Sequence, residues 1–123
     1  MKKKNDKFSN SILELEEALS YKSKALKERF FFSGIAKCFE VCFEYAWKYM
    51  KEAAINNGLE VYSPRDSIKC AGRLGIISDV ERWLFFLENR NLAVHDYLGI
   101  EDSKYLQIIE EFLMEVKKIK KPS

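Results

Sequence analysis

Residues 29–57 read RFFFSGIAKCFEVCFEYAWKYMKEAAINN, and this stretch decides the fold. Its apolar side chains Phe32, Ile35, Phe39, Cys42, Phe43, Ala46, Trp47, Met50 and Ala54 recur at steps of three and four, the period of a helix with one broad buried face. No proline interrupts the run, and Gly58 follows it where a left-handed stop is wanted. The stretch is expected to be the central helix, around which the rest must pack.

On its N-terminal side, Phe8, Ile12, Leu15, Leu19, Leu26 and Phe30 keep helical spacing while Glu14, Glu16, Glu17 and Lys22 fill the opposite face. One amphipathic helix is expected there, capped by Ser9 or Asn10. On the C-terminal side, Ser63, Pro64 and Asp66 supply a hydroxyl cap, a proline at the first helical position and an early carboxylate, so a short helix should run from there to near Gly75. Ser78 and Glu81 have capping-box spacing before a third long helix through Trp83, Leu84, Phe86, Leu87 and Val94 toward Tyr97 and Gly99. Asp102 or Ser103 should cap a last helix through Tyr105, Ile108, Ile109, Phe112, Leu113, Val116 and Ile119, which closes among lysines that suit a helix C-terminus. Short loops make sequential neighbours antiparallel. The expected fold is all-α: an antiparallel up-and-down bundle of four helices with one additional short helix.

Composition narrows the alternatives. A chain of 123 residues fits one domain over 1–123, with a basic tail at 1–7 and a short C-terminal tail at 120–123. Five glycines and two prolines are too few turn signals for a sandwich or barrel. A net charge of +2 lacks the cationic excess of a protein that grips duplex DNA through phosphates, so bulk charge names no partner. Cys38, Cys42 and Cys70 make an odd count without paired metal spacing and are expected to be reduced core residues, which with the lack of a signal-peptide core or an apolar run of membrane length points to the cytoplasm and no membrane.

The residues that could carry chemistry lie in RNLAVHDY, 90–97. His95 is the sole histidine; a lone histidine near a helix end is more often structural, but its neighbours change the weighting. At about 100° per residue, Tyr97 falls within roughly 20° of Arg90, whereas His95 lies about 140° away. Arg90 and His95 therefore meet only if the helix loosens before Gly99, or if a second copy completes the site across a two-fold axis. Arginine presents a fork of donors to a phosphate, and histidine exchanges protons near neutrality. In RNA the 2′-hydroxyl is itself the nucleophile, so a base and a cation could suffice. No acidic cluster, Gly-rich phosphate loop or His/Cys ligand set occurs, so neither a metal nor another cofactor is expected.

Three blocks of residues resemble a known family. Phe39, Glu40, Phe43, Glu44, Ala46, Trp47, Lys48 and Lys51 resemble the FE..FE.AWK..K helix of HEPN-domain proteins; Ser63, Pro64, Arg65, Ala71, Gly75 and Ile77 resemble the SPR…A…G.I segment; Trp83, Leu87, Arg90, Asn91, His95 and Tyr97 resemble the W…L..RN…H.Y helix. The branch resembled is the nucleotidyltransferase substrate-binding group. The resemblance implies a homodimer, a complex with a minimal nucleotidyltransferase, and a place in a toxin–antitoxin pair. In related pairs the HEPN protein cleaves RNA and the partner silences it by attaching AMP to the motif tyrosine. Carried over, Arg90 would hold phosphate, His95 would move the proton, Asn91 would assist and Tyr97 would accept AMP. The alternative is a non-catalytic subunit that presents substrate to, or docks with, the nucleotidyltransferase. The chain departs from the pattern at Asn89 and Phe85, where acidic residues that could pair with Arg90 are common, and at Cys70 and Gly72, where Glu and an aromatic are common.

Two features of the central helix carry a bland and a sharper reading. Phe39, Phe43 and Trp47 are expected to pack in the core rather than stack on bases. Glu40, Glu44, Lys48 and Lys51 stand at i, i+4 spacing, which suits a solvated, salt-laced face or a surface turned toward the dimer or partner enzyme. The terminal lysines are expected to be solvated, with RNA contact as the sharper reading.

Overall fold

Asp6 opens the first helix, α1 (Lys7–Leu19): its carboxylate accepts the Ser9 backbone N–H at 3.0 Å and the Ser9 hydroxyl at 2.9 Å. The cap therefore falls three or four residues earlier than the expected Ser9 or Asn10, because a carboxylate at position 6 already reaches the free donors of the first turn. The computed structural model describes residues 6–95 and 101–119, the side chains of 92–95 excepted. The expected tails, apart from Asp6 and Lys7, and the Tyr97 to Gly99 end of the third long helix lie outside the described residues.

The single long helix expected from Phe8 to Phe30 is broken. α1 stops at Leu19, where the Ser20 hydroxyl donates to the Glu17 carbonyl at 2.6 Å, a local bond that competes with helix continuation. One turn follows as α2 (Lys22–Ala25), and Glu28 then takes an extended backbone before α3 (Arg29–Asn56) begins. Phe30 is consequently 81% exposed and Leu26 half exposed, although both fit the apolar spacing of the first helix.

The other boundaries follow local chemistry. Gly58, at φ 79°, lets the Leu59 N–H reach the Ala54 carbonyl and its own N–H reach Ile55, the paired bonds that close α3. Ser63 Oγ accepts the Asp66 N–H at 3.1 Å to start α4 (Pro64–Arg73), which ends in the same way at Gly75. α5 (Val80–His95) is capped by Asp79, whose carboxylate accepts the Arg82 N–H at 3.0 Å, one residue beyond the expected Ser78. α6 (Asp102–Ile119) begins with the Tyr105 N–H bonded to the Glu101 carbonyl, so neither Asp102 nor Ser103 is the cap; the Asp102 carboxylate instead pairs with Arg29 at 3.2 Å.

Side-chain pairs define the topology. Phe8 meets Tyr49 and Tyr21 meets Phe31, so α1 and α3 run in opposite directions. Along α6, Asp102, Glu110 and Lys117 pair in turn with Arg29, Lys22 and Glu16, which sets α6 antiparallel to the α1–α2 limb. Tyr105 reaches the Asn89 carbonyl while Glu111 pairs with Arg82, so α5 and α6 are antiparallel as well. The four long helices α1, α3, α5 and α6 form the expected up-and-down bundle, with α4 as the additional short helix, and α3 touches every other helix. Among the described residues there is no strand, and no helix is long and apolar enough to cross a membrane.

The core is aromatic and centred on Phe112. Phe39, Trp83 and Phe86 meet its ring edge to face at centroid distances of 5.1, 5.4 and 5.4 Å, and Phe43 closes the group at 5.8 Å. Phe39 and Phe43 are core residues as expected. Cys42 and Cys70 are buried and Cys38 half-buried, all three as free thiols.

Candidate functional site

Arg90 leaves α5 toward α3, the central helix, and its Nη2 lies 3.3 Å from Glu44 Oε2. The same oxygen accepts the Trp47 indole N–H at 2.9 Å. Glu44 and Trp47 stand three residues apart on α3, so their side chains share one face of the helix. Trp47 is partly buried against the core, and Lys51, one turn on, places its ammonium 5.9 Å from the indole ring centroid. Core packing is therefore only half of what Trp47 does; its polar edge faces the site.

The guanidinium is incompletely used. Its Nε is buried and has no hydrogen-bond partner among the described residues, and its Nη1 reaches only Asn91 Oδ1 at 3.5 Å, the outer limit of a hydrogen bond. The Arg90 side chain is 25% exposed, less than the cation of any other ion pair among the described residues. Such a group is desolvated enough to feel its partners strongly and open enough to meet an anion.

The carboxylate beside Arg90 thus comes from another helix. Position 89, where an acidic residue would be expected to pair with Arg90, is buried at 4% exposure, and the Asn89 Nδ2 donates to the Phe85 carbonyl at 2.9 Å along its own helix. Phe85 is exposed. Glu44, read from spacing as part of a salt-laced or partner-facing stripe, is the residue that engages Arg90. A signal for it existed in the three-residue spacing of Glu44 and Trp47; the identity of the arginine across the interface could not be read from that spacing.

The backbone of α5 stays helical through His95. Arg90 and His95 consequently remain about 140° apart around one helix axis. The His95 side chain and all of Tyr97 lie outside the described residues. The structure thus brings Arg90 to Glu44 and Trp47, with Asn91 alongside. An apolar recess of about 520 Å³ between α1 and the N-terminal half of α3 is a separate feature; its charged rim, Glu14 and Glu17, has the wrong sign for a phosphate.

Residues 3–123 match the family described as nucleotidyltransferase substrate binding protein like. A Haemophilus influenzae protein named probable ribonuclease HepT is 30% identical over 88 residues, covering 68% of this chain and 60% of that relative's length. The solved structure of HI0074 from Haemophilus influenzae, described as a substrate binding domain of a nucleotidyltransferase, superposes with a TM-score of 0.75 at 23% identity over 91% of this chain and 93% of that one. The last likeness bears on the fold.

Proposed function

We propose, from the premise that this chain belongs to the nucleotidyltransferase substrate binding protein like family, that it is the HEPN subunit of a two-gene nucleotidyltransferase/HEPN system and acts as a ribonuclease toxin. The observation that carries this reading is Arg90: a sheltered guanidinium with donors to spare, five residues before the histidine of the same helix. The name of the curated relative supports it.

In the proposed reaction the 2′-oxygen attacks the adjacent phosphorus while His95 removes its proton. Arg90 neutralises the extra charge on the phosphorane oxygens, the bond to the 5′-oxygen breaks, and that oxygen leaves with a proton returned to it. The products are a 2′,3′-cyclic phosphate and a 5′-hydroxyl. No metal is required, because the substrate brings its own nucleophile. The 140° separation along one helix favours a composite cleft in a homodimer, with Arg90 from one copy and His95 from the other. Transfer of AMP to the Tyr97 hydroxyl by the cognate nucleotidyltransferase would place a bulky anion on the face that the seven-residue spacing gives to Arg90, and close the cleft.

The test uses the full chain, freed of partner and unmodified on Tyr97, with single-stranded RNA. The wild type is expected to yield cyclic-phosphate ends, and Arg90→Ala and His95→Ala to lose at least about a hundredfold in rate, the scale of a lost general base or charge stabiliser. Cleavage unchanged by both substitutions defeats the reading. A second reading, a non-catalytic subunit that presents substrate to or docks with the nucleotidyltransferase, is favoured by Glu44, which already occupies one edge of Arg90. An inactive wild type that nonetheless raises the partner's nucleotide affinity would establish it.

A further inference from the structure

We infer that Glu44, anchored by the Trp47 indole, is a positioning residue that holds Arg90 ready for a phosphate. The inference rests on the phosphate-binding reading of Arg90 and adds to it two residues of α3 that do not themselves touch the substrate.

Three features separate this cluster from an ordinary surface ion pair. First, two donors from two helices converge on one oxygen, Glu44 Oε2, and the indole contact at 2.9 Å is closer than the guanidinium contact at 3.3 Å. The neutral partner therefore fixes the carboxylate, and the carboxylate in turn fixes the arginine. Second, donors are left over: Arg90 gives Glu44 a single Nη2, as Arg29 gives Asp102 and Arg82 gives Glu111, but among the described residues the Arg90 Nε is the buried side-chain polar atom left without a hydrogen-bond partner. A buried, unpartnered Nε is costly unless something else repays it, and a phosphate oxygen is a fitting partner. Third, the anchor is rigid, since Trp47 packs against the core and turns on only two side-chain torsions. A flexible arginine loses rotamer freedom when it is pinned. Pinning it through Trp47 and Glu44 before the ligand arrives moves that cost into folding, which leaves more of the phosphate interaction for the transition state.

Phosphate and Glu44 also compete for the same cation. Removing the carboxylate charge should make Arg90 more attractive to RNA in the ground state while leaving it less well aimed, so that KM and kcat fall together. Removing only the indole N–H leaves the charge in place and should lower kcat with little change in KM.

The experiment is a double-mutant cycle on the full chain with Trp47→Phe, Glu44→Gln and the double variant, read by RNA-cleavage kinetics and by ¹H–¹⁵N spectra of the indole and Arg Nε–H groups. Trp47→Phe is expected to lower kcat about three- to tenfold at near-constant KM. Glu44→Gln should lower both constants, and the double variant should be no worse than Glu44→Gln alone, because Trp47 acts through Glu44. In the wild type, titration with 2′-O-methyl RNA, which cannot be cut, should move the Arg90 Nε–H and Trp47 indole signals together; in Glu44→Gln the Arg90 signal should still respond and the Trp47 signal should not. Unchanged melting temperatures show that the variants fold. Additive kinetic losses, or an Arg90 response without a Trp47 response in the wild type, overturn the positioning role alone. No Arg90 response and no cleavage defeat the phosphate reading and the positioning role with it.

Discussion

Cys42 lies wholly buried on α3, and desolvation pushes its thiol up to about 12, against the opposing effect of a hydrogen bond with Ser11. The folded chain thus holds this proton more tightly than the unfolded chain, whose thiol titrates near 9.0. Stability from this group is complete below pH 9 and is lost as pH rises toward 12. In native protein at pH 8, Cys42 should resist a thiol reagent that labels it readily after denaturation, and the denaturant midpoint should fall between pH 9 and 11. Native labelling at the denatured rate would contradict the burial. At the same scale, Gly72 packs closely on α5: a Cβ there would collide with Val80 Cγ2, so any larger side chain at this position requires Val80 to move. Glu44 makes the complementary point. Its residue type and helical face were legible, yet its partner was not, since a spacing on α3 carries no information about which side chain α5 will present to it.

Among the elements, α4 is the clearest case of local chemistry deciding structure. Ser63 caps it, Pro64 takes the first position, Asp66 also accepts the Tyr62 N–H at 3.1 Å, and Gly75 ends it at φ 79°. Ser63→Ala should cost about 1 kcal/mol, seen as a lower melting temperature with the helix content of the native state intact; an unshifted melting curve would mean that Asp66 alone suffices. The first limb shows the opposite case. Apolar spacing runs unbroken from Phe8 to Phe30, but the chain breaks at Ser20 and again at Glu28, and α2 fills the gap with a single turn. Periodicity reports which residues can share a face; it does not report that α1 closes after 13 residues, at Ser20, before the chain turns toward α3. The caps of α1, α5 and α6 lie one to four residues from the expected positions for a related reason, as neighbouring carboxylates and carbonyls compete for the same free N–H groups.

For the whole molecule, the proposed composite cleft gives a mixing test. Arg90→Ala and His95→Ala chains, each inactive alone, should form mixed dimers that carry one intact pair of residues. An equimolar, equilibrated mixture should recover about a quarter of wild-type activity, since half of the dimers are mixed and each has one working site of two. No recovery, with mixed dimers verified by mass, would place both residues of a working site in one copy. The sequence by itself determined the helical class, the central place of α3, the short capped helix, the aromatic core and the family, because periodicity, caps and ordered motif blocks are local properties of the chain. Only the tertiary structure decided where the first helix breaks, that Asn89 turns into its own helix, and that Glu44 and Trp47 meet Arg90. Those outcomes depend on how far apart two helices stand and which faces they turn to each other, and that geometry is set by the packing of the aromatic core between them.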